Sequence, residues 1–254
     1  MVLLLDLGNT NLFIGVYQNG ELLCDYRTHA DKNKSSDEYK TIIGSFLKNQ
    51  DLKPSDFEGA ILSSVVPSLT IQIKLAIKKL LHVDCLVVGS SLKSGISIRI
   101  DNPSEMGSDM VADAVGAKKK YSYPLLVADL GTASKIVAVD AQGSIVGCVI
   151  MAGMKVAMNA LNSNTAQLMD ITMMAPKKVI GKNSPDSLNS GAVYGTIAMI
   201  EGLCKKMEDE LGYKCKKVLT GGYSILVKDY IDKEFIYDPN LIFEGLYQIY
   251  LKNK

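Results

Sequence analysis

The chain has 254 residues, 47% hydrophobic and 22% charged, enough apolar mass for one large domain or two similar halves and too much for a disordered segment. With 28 Lys+Arg against 27 Asp+Glu the formal net charge is +1, which removes any electrostatic case for nucleic acid or an anionic membrane surface and leaves a small molecule as the expected partner. Cys24, Cys85, Cys148, Cys204 and Cys215 lack CxxC spacing, no basic leader precedes the first strand, and no uncharged stretch reaches the roughly 18 to 20 residues that span a bilayer, so free thiols in a cytoplasmic protein are expected.

In chain order, VLLLDL, LFIGVY and ELLCDYRTH predict three consecutive short strands, with Gly8 and Asn19-Gly20 marking the turns of an antiparallel meander. Residues 36 to 48 carry a helical pattern with Ser36 as its N-cap. GAILSSVVPS reads as a buried strand running into a turn at Pro67, followed by a helix over about 69 to 81 and a strand at DCLVVG. SDMVADAVGAKKKY is a helix opening at Ser108-Asp109, so strands and helices alternate as in an α/β protein. The opening then repeats. LLVADLGTA at 125 to 133 matches VLLLDLGNT at 2 to 10, with Asp6-Leu7-Gly8 recurring as Asp129-Leu130-Gly131 at an offset of 129 − 6 = 123, and Gly20 recurs as Gly143 at the same offset. Each copy continues as strand, Gly turn, strand, which predicts a duplicated unit. KKVLTGGYS at 216 to 224 is a further strand ending in Thr220-Gly221-Gly222.

A glycine without a Cβ lets a phosphate approach the backbone, where N–H groups and small hydroxyls donate to its oxygens, and a carboxylate at a strand end holds a cation. One Asp-Leu-Gly would be only a hairpin turn. Two in register predict paired turns flanking one nucleotide. Thr220-Gly221-Gly222 would let a flat base or sugar lie on the backbone, although alone a GG pair is a turn. Asp109, judged from its own neighbours, is a helix cap. His29 and His82 lack ligand spacing and are expected as surface or satisfied histidines. Lys118-Lys119-Lys120 is expected to be a solvated helix end, and Met151, Met154, Met158, Met169, Met173 and Met174 to be core or interface packing rather than metal ligands.

The order DLGNT, DLGTA, TGG resembles the actin-like ATPase and sugar-kinase superfamily. More narrowly the chain resembles the type III pantothenate kinases over nearly its whole length, through Asp6 to Thr10, Ser63 to Pro67, Asp101-Asn102-Pro103, Gly107-Ser108-Asp109, Asp129 to Ala133, Ile180 to Ser184, Ser190-Gly191, Tyr194-Gly195 and Thr220 to Gly222. That resemblance implies an α/β fold of two duplicated ribonuclease-H-like subdomains, residues 1–122 and 123–254, each a mixed sheet flanked by helices. It implies ATP-dependent phosphorylation of the 4′-hydroxyl of pantothenate, the first step toward coenzyme A. Carried over by motif position, Asp6 would hold the Mg²⁺–phosphate end of ATP, with Leu7, Gly8, Asn9, Thr10, Asn11, Leu12 and Phe13 forming the phosphate loop and Thr132 reaching ATP from the second turn. Asp129 would bind a monovalent cation, potassium or ammonium. Asp109 would be the base for the substrate hydroxyl, and Ile100, Gly107, Ser108, Met110 and Ser184 would lie at pantothenate. A homodimer is implied too, and the Met-rich composition of the 151 to 174 segment, with a helix over 188 to 203, makes these the expected apolar interface.

Several positions depart from that pattern. Met110 stands where an arginine would contact substrate, Ile100 where an aromatic is usual, Asp113 where an asparagine is usual, and Ser184 for threonine. Lys135 replaces a small hydroxylic residue, and Cys148 and Ala152 replace a glycine and a proline. Lys135 either supplies the charge that Met110 lacks or is a tolerated exposed lysine. The departures admit a second reading, a nucleotide-binding regulatory or accessory paralogue with weakened or lost kinase activity. Retention of Asp6, Asp109 and Asp129 together favours the enzyme.

Overall fold

Val2–Leu7, an unbroken apolar run interrupted only by Asp6, forms strand β1 at the middle of a sheet that is covered on both faces, which is why its residues do not alternate with polar ones. The computed structural model describes residues 1–164 and 171–254, so Met169 lies outside the described residues. β2 (Asn11–Gln18) pairs antiparallel with β1, β3 (Glu21–His29) antiparallel with β2, and β4 (Gly59–Ser64) parallel with β1; β5 (Cys85–Val87) completes the order β3-β2-β1-β4-β5. The meander and the alternation of strand and helix are as the sequence predicts.

On one face Leu3, Leu5 and Leu7 meet Tyr39 and Ile43 of α1 (Ser36–Asn49) and Ile73 and Ile77 of α2 (Pro67–Leu81) in a continuous apolar core. Two boundaries differ from the sequence expectation. The N-cap of α1 is Ser35, not Ser36, because the Ser35 hydroxyl accepts from the Glu38 N–H while the Glu38 carboxylate accepts from the Ser35 N–H at 2.9 Å, a reciprocal box that Ser36 has no partner to form. Pro67 is the first residue of α2 rather than part of a turn, since its fixed φ suits the first helical position and its missing N–H is not needed there.

The other face of this sheet is covered by the last helix, α6 (Leu241–Asn253), which packs on β1 and β4. Gly15 on β2 leaves room for the Phe243 ring, which stands 2.9 Å from where a Cβ would be. α3 (Ser108–Lys120) crosses α6 at two glycines: a Cβ on Gly116 would meet the Leu241 carbonyl at 2.5 Å, and one on Gly245 would lie inside the Ala112 carbonyl. The contacts therefore gather Met1–Ser97, Asp101–Lys119 and Leu241–Lys254 into one unit and Ile98–Ile100 with Lys120–Asn240 into another. This division differs from halves at 1–122 and 123–254 chiefly because the apolar face of α6 is spent on the first sheet.

The second sheet has the order β11-β10-β7-β8-β9-β6, formed by β6 (Ser97–Ile98), β7 (Leu125–Leu130), β8 (Ala133–Val139), β9 (Ser144–Ala152), β10 (Lys216–Thr220) and β11 (Phe235–Tyr237). β7, β8 and β9 repeat the antiparallel meander, and β10 runs parallel to β7 as β4 does to β1. α4 (Met154–Asn164) and α5 (Ser184–Leu211) follow β9 in the chain, with Met154, Val193, Ile197, Ile200 and Cys204 in the core. The helix expected over 188 to 203 thus spends its apolar stripe inside its own unit. Met154 and Met158 are buried and Met151 and Met173 pack at the core margin, as expected for filler side chains, whereas Met174 is exposed and takes no part in this core. Lys120 is not merely solvated: its ammonium lies 2.5 Å from the buried Asp238 carboxylate. All five cysteines are free, and burial pushes the thiols of Cys85 and Cys204 up to about 12, which leaves them un-ionised and inert. Among the described residues no helix is long and apolar enough to cross a membrane.

An ion cluster around the buried Glu208 carboxylate ties α5 to β10. Burial pushes the Glu208 carboxyl up, but the Cys215 N–H at 2.9 Å, the Lys214 ammonium at 2.8 Å and the Lys217 ammonium at 3.4 Å outweigh it and hold it below its ordinary value. A lowered folded pKa stabilises the fold above the unfolded value and ceases to do so as pH falls through the folded one. Glu208→Gln is expected to cost about 2 kcal/mol at neutral pH. Urea unfolding should show the gap to wild type closing as pH falls below about 4.5; a gap that widens on acidification would contradict this assignment.

Candidate functional site

Asp6, the penultimate residue of β1, is paired in register with Phe13 on β2 and with Ser63 on β4. Beyond it the chain turns tightly, with the Gly8 N–H donating to the Asn11 carbonyl at 2.9 Å and the Ala30 N–H donating to the Thr10 carbonyl at 2.8 Å. Asn9 and Asn11 are exposed on this loop, while Leu7 and Leu12 are buried beneath it and brace it from the core. The Phe13 ring is held between Phe243, at 4.4 Å between centroids, and the Arg27 guanidinium, 4.5 Å above it.

The same strand ends receive the start of α3. The Ser63 and Ser108 hydroxyls are 3.1 Å apart, the Ser64 N–H donates to the Ser108 hydroxyl at 3.0 Å, and that hydroxyl lies 3.1 Å from the Ser64 carbonyl. Ser108 is therefore a clamp between α3 and β4, and it delivers Asp109 to the carboxyl end of β1 and β4. Asp109 lies in the first turn of α3, where the helix dipole favours negative charge, and its Oδ1 accepts from the Met110 N–H at 2.8 Å. Gly107 makes space for that oxygen, since a Cβ there would stand 2.5 Å from it. The Met110 side chain is buried against Gly107, an apolar slot that would strip an arginine of its water.

In the second unit Asp129 occupies the matching position on β7, in register with Lys135 on β8 and Thr220 on β10. Its turn is one residue shorter than the first, because Asp6 faces Phe13 whereas Asp129 faces Lys135. Gly131 N–H donates to the Ala133 carbonyl at 3.3 Å, Gly153 N–H to the Thr132 carbonyl at 3.1 Å, and the Gly153 backbone packs on both turn carbonyls too closely to admit a Cβ. Thr132 is exposed at the tip. Gly221, at φ +91°, leaves its Cβ position to Asp129 Oδ1 and the Leu130 backbone, since a methyl there would stand 2.5 Å from the Leu130 nitrogen. The Asp129 Oδ2 is 2.8 Å from the Lys135 ammonium, and these side chains are only 16% and 12% exposed.

Asp6, Gly107, Ser108, Asp109 and Met110 are thus assembled within the first unit, and Asp129 and Thr132 within the second. Ile100 is half-buried in the second unit, and Ser184 is the exposed first residue of α5, whose cap is Asn183 accepting from the Asp186 N–H at 2.8 Å. His29 and His82 are exposed, and no group of three His, Cys, Asp or Glu with metal-binding geometry occurs among the described residues. Sequence reasoning missed the Ser63–Ser108 clamp and the Asp129–Lys135 pair. The second was accessible by counting residues around the Leu130–Ser134 turn; the first joins residues 45 apart and had no local signal.

Two sheets built on the same meander, each ending in an acidic turn beside a parallel fourth strand, define the actin-like ATPase and sugar-kinase fold. A putative 2-dehydro-3-deoxygalactonokinase from Sinorhizobium meliloti superposes with a TM-score of 0.61 at 12% identity, over 98% of this chain and 96% of that one. MreB 5 of Spiroplasma citri bound to AMPPNP superposes with a TM-score of 0.53 at 11% identity, over 99% and 96%. The family model for type III pantothenate kinase matches residues 2–206. A type III pantothenate kinase of Bifidobacterium adolescentis is 37% identical over 253 residues, covering 100% of this chain and 99% of that protein. The chain belongs to the type III pantothenate kinase family. It is a kinase that uses ATP to phosphorylate pantothenate in coenzyme A biosynthesis, as its motifs imply.

Proposed function

We propose that Asp109 is the base of this reaction and Asp6 the residue that holds the Mg²⁺–phosphate end of ATP. The observation that supports it is the Ser63–Ser108 clamp at 3.1 Å, which brings the register partner of Asp6 to the residue preceding Asp109. The pantothenate 4′-hydroxyl oxygen forms a bond to the γ-phosphorus as the bond to the β-phosphate oxygen breaks; ADP leaves with the electron pair and the hydroxyl proton passes to the Asp109 carboxylate. Mg²⁺ binds through one or two carboxylates plus substrate phosphates, a demand that a single acid beside a tight polar loop meets, and when bound it neutralises charge on the transferred group. Gly8, Asn9, Thr10 and Asn11 line the phosphates, Leu7, Leu12 and Phe13 shape the loop from below, and Thr132 reaches ATP from the second turn. Gly107, Ser108 and Met110 with Ile100 and Ser184 lie at pantothenate, and Asp129 is the acid of the monovalent-cation position.

A coupled ADP assay with and without pantothenate tests the reading. ADP formation that requires pantothenate is expected; equal rates in its presence and absence would overturn it. We also infer a homodimer, supported by apolar side chains left exposed on the second unit, among them Ile150 at 60%, Val179 at 61% and Ile180 at 82%. Sedimentation at micromolar concentration should show the dimer, and a monomer would refute it. Five free thiols support residence in the reducing cytoplasm, and a net charge of +1 supports a protein without a nucleic-acid partner.

A further inference from the structure

The monovalent-cation position fits a diffusible ion poorly. Asp129 and Lys135 are direct cross-strand neighbours on β7 and β8, so the backbone register itself aims the lysine stem along the face that carries the carboxylate. Both strands lie inside the sheet rather than at its edge. The ammonium reaches Oδ2 at 2.8 Å, and with side chains only 12% and 16% exposed the pair is shielded from the screening that weakens surface ion pairs. Oδ1 is backed by the Gly221 backbone, and a Cβ on Gly131 would already stand 3.8 Å and 4.0 Å from the two oxygens. A second unit of positive charge at this carboxylate would meet the ammonium at close range, where like charges repel. The duplicated turn supplies an internal contrast, because the residue opposite Asp6 is Phe13, which carries no charge.

We propose that the Lys135 ammonium is the monovalent cation of this enzyme: a tethered ammonium that neutralises Asp129 and makes the kinase independent of potassium and ammonium ions. This deepens the reading of Asp129 given above and rests on it. A lysine ammonium has the charge of either ion and three N–H donors, and its attachment to β8 removes the need to capture an ion from solution. The simpler alternative, a pair that only fastens β7 to β8, predicts no change in ion dependence when the lysine is removed.

Pantothenate-dependent ADP formation is to be measured for wild type, Lys135→Ser and Lys135→Gln in potassium, ammonium and tetramethylammonium chloride at equal ionic strength, with thermal unfolding recorded in the same salts. Wild type is expected to work at rates within about twofold in all three and to unfold at one temperature. The Lys135→Ser rate should fall by about tenfold or more in tetramethylammonium and recover in potassium or ammonium, which should also raise its unfolding temperature. Lys135→Gln keeps the stem and the packing while removing the charge, and the same ion dependence is expected of it. A wild-type requirement for potassium or ammonium would overturn the proposal, as would variants that unfold cooperatively but respond to no ion in rate or in stability. Absence of pantothenate-dependent turnover by wild type in every salt would instead count against the assigned reaction, and the unfolding measurements would still report on Lys135.

Discussion

Asp109→Asn is expected to fold as wild type does and to form ADP from ATP and pantothenate about 10²- to 10⁴-fold more slowly. Asparagine has the size and shape of aspartate, and its carbonyl oxygen can still accept from the Met110 N–H as Oδ1 does at 2.8 Å. It is also as good a helix cap as aspartate, so a residue that served only to start α3 would tolerate the change with little loss. What asparagine cannot do is take a proton from an attacking hydroxyl. The substitution therefore separates the two roles that the sequence around Ser108-Asp109 leaves open. A rate within about threefold of wild type, with thermal unfolding unchanged, would assign Asp109 to capping and remove it from the reaction. The KM for ATP should change little, since Asp6 and the loop after it, not Asp109, are assigned to the nucleotide.

Gly245→Ala is expected to destabilise the protein by about 3 kcal/mol, lowering the unfolding temperature by roughly 10 °C. In an isolated helix the same change would be favourable by about 1 kcal/mol, because alanine is the better helix former. Here the added methyl would lie inside the Ala112 carbonyl, and backbone cannot rotate away as a flexible side chain can. α6 would have to lift from α3, exposing a face that buries Leu241, Phe243, Leu246 and Ile249 completely, each worth about 1.5–3 kcal/mol of burial. Sterics therefore outweigh propensity. Gly202→Ala is the matched control: it lies within α5, nothing stands within 4 Å of its Cβ position, and it should gain up to about 1 kcal/mol. Thermal unfolding of the two variants should move in opposite directions, and a Gly245→Ala protein as stable as wild type would show that the helix crossing has slack.

What the sequence determined by itself is local or repeated. The meanders, the helix of residues 36 to 48, the two Asp-Leu-Gly turns and their offset are written in alternation, turn chemistry and identity within a few residues, where each residue's neighbours along the chain are its neighbours in space. The family was legible for a related reason: it rests on the order of many short motifs. The tertiary structure decided the rest. No periodicity says that the apolar face of α6, at the end of the chain, belongs to the first sheet, because a helix stripe records that a surface is buried and not which surface buries it. The Ser63–Ser108 clamp joins positions whose meeting depends on the packing of α3. Phe13, read as part of a phosphate loop, proves to be pinned by Phe243 and Arg27. Lys135, readable as an exposed lysine or a replacement for a missing arginine, lies almost buried on Asp129, since shortening a turn by one residue resets which side chain stands opposite the acid.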